Sequence, residues 1–272
     1  MNRRHFTFSC EGAALAGSID MAAATTGLLI VSGGNEVRSG SFGSQAALAD
    51  RIATAGFPVM RFDRRGVGDS EGENVTFAAS AADIAAALHA FRAHVPTLKR
   101  IVAFGNCDAA SALMLAEGAG CNALVLANPW TFEPEVEEPA EAEVVSEPEP
   151  QMTPQLLRRH YFKRLTDPRA LLRLVTGKVE VGKLATSLKE AVKPASGPTS
   201  LALQMAAGLE RFAGSAAILI AEHDRTAQAF LSHWDKSDPR LRRCPEASHS
   251  FIEPQARIWL QGQLLAALRS QG

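Results

Sequence analysis

The run Ile101-Val102-Ala103-Phe104-Gly105-Asn106-Cys107-Asp108-Ala109-Ala110 reads as a strand passing straight into a helix through Gly105-x-Cys107-x-Ala109. A nucleophile held on so sharp a turn needs small residues two places before and two places after it, because larger ones would clash with the neighbouring strand and helix. Gly105 and Ala109 meet that need, and the side chain at the apex is a thiol. The positive end of the helix that starts beside it favours the thiolate, the reactive form of sulfur. The plainer alternative is a small buried apolar cysteine at a strand end.

Partners for such a thiol follow in a fixed order along the chain. The apolar run Ile218 to Ala221 ends in Glu222-His223-Asp224-Arg225. Asp224 stands three residues past the strand end, where an acid would hold an imidazole in the right tautomer and orientation. A turn-forming aspartate is the plain reading of Asp224, and Glu222 is the alternative acid. His249, in Ala247-Ser248-His249-Ser250-Phe251, precedes the last helix. It would take the proton from Cys107 and return it to the leaving group. His5, His89, His94, His160, His223 and His233 lack this setting and read as structural or solvated, His223 least clearly.

Ser32-Gly33-Gly34-Asn35 follows the apolar run Gly27 to Val31. A backbone N–H of Gly34 or Asn35, with that of Asp108, would hold an oxyanion; otherwise the glycines serve a tight turn. Gly66-x-Gly68 after another strand hints at dinucleotide binding. The third glycine, Gly72, comes one place too late, and the next helix begins only near residue 79, so no helix end is there for a pyrophosphate.

The elements that must position these residues alternate. His5 to Asp20 reads as a hairpin turning at Glu11-Gly12, followed by strands at Gly27–Val31, Phe57–Phe62, Arg100–Phe104, Ala123–Leu126, Ala216–Ala221 and Leu241–Cys244. Helices are expected over Gln45–Ala55 (Leu48, Ile52 and Ala55 inward), Ala79–His94 (Ile84, Leu88 and Phe91 inward), Asp108–Ala119 and Ile258–Arg269. This alternation predicts an α/β fold, a mostly parallel central sheet with helices on both faces and an antiparallel leading edge. Residues 1–128 and 199–272 would form the core. Residues 129–198 read as an inserted helical cap, with a mobile Glu/Pro-rich stretch over 133–150 and a basic helix over Thr153–Leu174.

The chain has 272 residues, 46% hydrophobic and 21% charged, with a net charge of −1. That balance gives no electrostatic case for nucleic acid or an anionic membrane. Cys10, Cys107, Cys121 and Cys244 show neither paired nor zinc-like spacing, so reduced thiols in a cytoplasmic protein are expected, with no metal and no organic cofactor. No signal peptide and no spanning helix are expected either.

Arg61-Phe62-Asp63-x-Arg65-Gly66-x-Gly68-Asp69-Ser70-x-Gly72 resembles the loop after the fourth strand of α/β hydrolases. More narrowly, the chain resembles the exosortase A system-associated hydrolase 1 family. The resemblance rests on Gly33-Gly34 through Arg38-x-Gly40-Ser41, Gly56-Phe57-Pro58-Val59-x-Arg61-Phe62-Asp63 and Cys107-Asp108-Ala109-Ala110-Ser111-Ala112. Asn128-Pro129-Trp130, Arg159-His160-Tyr161 and Gly177-Lys178-Val179 extend it. Glu133 to Pro150 is longer and more acidic than that pattern. The resemblance implies a cytoplasmic bacterial enzyme of the α/β-hydrolase fold, linked to exopolysaccharide production and exosortase-dependent sorting. The expected activity is acyl transfer from an ester or thioester, with hydrolysis as the default second step. The rivals are a non-catalytic scaffold of the same system and a redox-sensing thiol.

Overall fold

The computed structural model describes residues 2–132 and 199–272. Eight strands form one sheet: β1 (Arg3–Cys10), β2 (Ala13–Asp20), β3 (Thr26–Val31), β4 (Val59–Phe62), β5 (Arg100–Asn106), β6 (Ala123–Ala127), β7 (Ser215–Ala221) and β8 (Leu241–Cys244). Their spatial order is β1-β2-β4-β3-β5-β6-β7-β8. The leading hairpin pairs antiparallel and joins the sheet antiparallel to β4, and every later pairing is parallel.

Successive strand residues point to opposite faces, and the sheet accordingly feeds two cores. Leu29, Val31, Ile101 and Ala103 face one side, where α2 (Ala81–His94), α3 (Asp108–Leu115) and α4 (Ser200–Arg211) pack. Leu28, Ile30, Val102 and Phe104 face the other, under α1 (Ser44–Thr54) and α6 (Pro254–Ser270). Strands buried on both faces read as continuous apolar runs, which is how β3, β5 and β6 look in the sequence.

The structure departs from the periodicity reading at several ends. The helix after Cys107 stops at Leu115 rather than Ala119, because the backbone turns left-handed from Glu117 at φ 51 through Gly118 at φ 73. Ala55 is exposed rather than inward; Leu48, Ala49 and Ile52 carry the buried face of α1. The closing helix starts at Pro254, since proline suits the first helical turn. Two further helices, α4 and α5 (Arg225–Ser232), went unread in the sequence and carry clear caps. Thr199 Oγ1 accepts the Ala202 N–H at 3.1 Å, and Asp224 caps α5.

The acidic stretch 133–150, the basic stretch 153–174, and Arg159-His160-Tyr161 and Gly177-Lys178-Val179 lie outside the described residues. The flanks of that segment meet: the Thr199 hydroxyl donates to the Thr131 carbonyl at 3.4 Å. Among the described residues no helix is long and apolar enough to cross a membrane.

Candidate active site

Every residue singled out for chemistry sits at the carboxyl end of a parallel strand, on one edge of the sheet. Cys107 follows β5 directly and takes φ 62, ψ −129, a region that side chains other than glycine rarely occupy. The turn survives because its neighbours are small. A Cβ at Gly105 would stand 2.7 Å from the Ala109 carbonyl carbon and 2.8 Å from the Ala110 nitrogen. Backbone bonds also pin the elbow: Cys107 N–H donates to the Ala127 carbonyl at 3.0 Å, and Trp130 N–H donates to the Cys107 carbonyl at 3.3 Å.

Asp224 follows β7 and His249 lies between β8 and α6. Nδ1 of His249 is 3.0 Å from Oδ2 of Asp224, and Cys107 lines the same cleft. Burial alone would lower the pKa of His249. The hydrogen bond to Asp224 and the attraction of its carboxylate, with Cys107 beside the ring, outweigh it and push the imidazole up to about 10. Asp224, 6% exposed, also accepts the N–H groups of Thr226 at 3.3 Å and Ala227 at 2.9 Å, so it is cap and imidazole partner at once. Glu222 is exposed. His223 lines the cleft of about 380 Å³ that opens over Cys107, Trp130, Asp224 and His249.

The expected oxyanion donors have different surroundings. The N–H groups of Asp108 and Asn35 have no hydrogen-bond partner among the described residues. Gly34 N–H, by contrast, donates to Oδ1 of Asp108 at 2.6 Å. Asp108 also lies 3.5 Å from the Arg64 guanidinium, which donates to the Gly34 carbonyl. Asp108 thus tethers the loop with its side chain while its own amide stays open. As arranged, Asn35 and Asp108 offer the open pair, and Gly34 joins only if the carboxylate withdraws.

Sequence reading passed over Asn106 and Asn128. The Asn128 amide is fully buried at the end of β6, with the backbone at φ 44. It donates to Asn106 Oδ1 and to the His249 carbonyl, both at 3.0 Å, and accepts the Ala221 N–H at 2.8 Å. Asn106 donates to the same His249 carbonyl at 3.2 Å. Two asparagines thereby tie the histidine loop to the ends of β5 and β6. The trace in the sequence was an asparagine immediately before Pro129.

The glycine loop after β4 is organised from within. Asp63, fully buried, accepts the Asp69 N–H at 3.1 Å and pairs with Arg38. Among the described residues no cluster of histidine, cysteine and carboxylate side chains could hold a metal ion.

A model of the alpha/beta hydrolase family matches residues 28–259. The chain belongs to the alpha/beta hydrolase family. This family member is similar in structure to an esterase from Pyrococcus furiosus, with TM-score 0.62 and 12% identity over 99% of this chain and 91% of the other. It is also similar to Est1E from Butyrivibrio proteoclasticus, solved with ferulic acid, with TM-score 0.60 and 14% identity over 97% and 99% of the two chains. A third is XC6422 from Xanthomonas campestris, described as an α/β serine hydrolase without lid, with TM-score 0.57 and 16% identity over 99% and 94%. A search of curated protein sequences finds no match. The identities are low, so these likenesses speak to the fold.

Proposed function

We propose that this protein is an acyl-transferring hydrolase of esters or thioesters that works through a cysteine nucleophile. The observation that carries this reading is Cys107 at φ 62, sharing one cleft with a histidine whose Nδ1 is 3.0 Å from a buried aspartate. In the first step His249 takes the Cys107 proton, the sulfur attacks the carbonyl carbon, and the carbonyl electron pair moves to oxygen. The N–H of Asp108 and an amide of the Gly34-Asn35 loop would hold that oxyanion. Collapse of the tetrahedral adduct breaks the bond to the leaving group, which takes the proton from His249 and departs. A thioester remains on Cys107. His249 then deprotonates water, or an amine or thiol acceptor, which attacks the thioester and restores the thiol. Asp224 holds the imidazole in place throughout.

The motifs shared with the exosortase A system-associated hydrolase 1 family support placing this activity in a cytoplasmic bacterial exopolysaccharide system. The test is intact-protein mass after mixing with a panel of activated acyl esters and thioesters. Wild type gains one acyl mass and Cys107→Ala gains none, while His249→Ala acylates about a hundredfold more slowly or worse. No adduct with any donor, together with iodoacetamide labelling of Cys107 no faster than free cysteine, would sink the reading.

A further inference from the structure

A second cavity, of about 620 Å³, also opens on Cys107 and His249 and extends across the Gly34-Asn35 loop to α1 and α6. Its lining is split in character. Phe104, Leu48 and Leu260 give it a buried apolar floor, and Phe42 and Ile252 stand exposed on its rim. Phe42 holds φ 53, and Phe251, just before Ile252, holds φ 51. Large side chains rarely adopt such backbone, and strain of this kind gathers at ligand sites.

The same cavity is lined by two arginines with no carboxylate partner among the described residues. Arg51 of α1 gives its Nε–H to the Gln261 side chain at 3.0 Å. Its terminal nitrogens have no partner among the described residues. Arg257, one turn before Gln261 on α6, has no side-chain partner among them either. Two acids of that region, Glu36 and Glu253, are bonded elsewhere. Glu36 accepts the Ser41 N–H at 2.6 Å, the Ser41 hydroxyl at 2.8 Å and the Gln45 amide. Glu253, one turn before Arg257, accepts the Ser248 N–H at 3.2 Å. An apolar trough that carries guanidinium groups with no carboxylate partner among the described residues suits an amphipathic anion, because guanidinium forks fit carboxylate and phosphate groups.

We infer that this groove receives the acyl part of the substrate, and that this acyl part has an apolar body ending in a carboxylate or phosphate held by Arg51 and Arg257. The smaller cleft beside Trp130 and Arg225 is left for the leaving group. This rests on the acyl-transfer reading of Cys107.

The test compares p-nitrophenyl esters that share a leaving group and chain length but differ at the far end. Monoesters of succinic, adipic and suberic acids are set against butyrate, hexanoate and octanoate, and a 5-phosphonopentanoyl ester separates phosphate from carboxylate. At low salt the anionic donor exceeds its neutral partner in kcat/KM by about tenfold at the fitting length, mainly through KM. Arg51→Gln and Arg257→Gln each bring that ratio towards one, whereas Arg225→Gln does not. A ratio near one at every length, or one that survives both changes or follows Arg225, overturns the inference. Calorimetry of Cys107→Ala with monomethyl adipate and methyl hexanoate reads the same site without turnover. If no donor acylates wild type, the acyl-transfer reading fails, and the calorimetry alone decides the anion site. Monomethyl adipate binding that exceeds methyl hexanoate binding and is lost on adding Arg257→Gln supports it; equal binding of the two, binding that survives Arg257→Gln, or none, overturns it.

Discussion

Asp224 shows how one side chain can serve two ends. Its carboxylate caps α5 through the N–H groups of Thr226 and Ala227 and also faces Nδ1 of His249. Asparagine caps a helix about as well as aspartate, but it carries no charge. Asp224→Asn is therefore expected to keep about 1 kcal/mol of stability that Asp224→Ala loses, as read by urea unfolding. Both variants should acylate slowly. The raised His249 pKa sets the pH dependence. The folded state holds this proton more tightly than the unfolded chain does. The resulting stabilisation is full below about pH 6.5 and is lost as pH rises through about 10. The imidazolium likewise persists to that pH, so the alkaline limb of the acylation profile should lie near pH 10 in wild type. In Asp224→Asn it should move down, since the strongest support for the cation is gone. A limb that stays in place would show that Asp224 does not govern His249.

At the scale of elements, the site depends on how strand ends are tied together. Asn128 spends its amide fully, donating to Asn106 and His249 and accepting from Ala221, so it joins β5, β6, β7 and the histidine loop. Removing it leaves the buried Ala221 N–H without an acceptor, at a cost of about 1–3 kcal/mol. Asn128→Ala should lower the free energy of unfolding by that amount, as read by urea unfolding. It should also depress kcat more than KM, because the loop that carries His249 loses its anchor. An unchanged kcat beside the lost stability would make Asn128 purely structural. The elbow itself is over-determined: Gly105 leaves no room for a Cβ, so its place between β5 and α3 is set by packing as well as by chemistry.

Across the whole molecule, the four thiols divide by depth. Burial pushes Cys121 up to about 12; burial, together with its hydrogen bond to Asp83, pushes Cys10 up to about 11. Cys244 is buried and raised as well, whereas Cys107 is only partly buried. Brief treatment with iodoacetamide near pH 7.5 should therefore modify Cys107 alone, as checked by peptide mass mapping, and labelling of the other three should require denaturant. Equal labelling of Cys10 under native conditions would contradict the packed hairpin edge.

Local chemistry in the sequence determined the strand-elbow-helix at Cys107, the leading hairpin and the alternation that makes a doubly covered parallel sheet. Each of these follows from apolar runs, small residues and turn residues close together in the chain. The chain order of Cys107, Asp224 and His249 was readable for the same reason. Only the tertiary structure decided which of Asp224 and Glu222 faces His249. Both follow β7 within three residues, and the choice depends on which carboxylate faces a loop 25 residues further along. It also decided that Gly34 N–H is held by Asp108, 74 residues away, and that Asn106 and Asn128 share the His249 carbonyl. Such bonds join strand ends that are neighbours only once the sheet has formed, so no local pattern announces them.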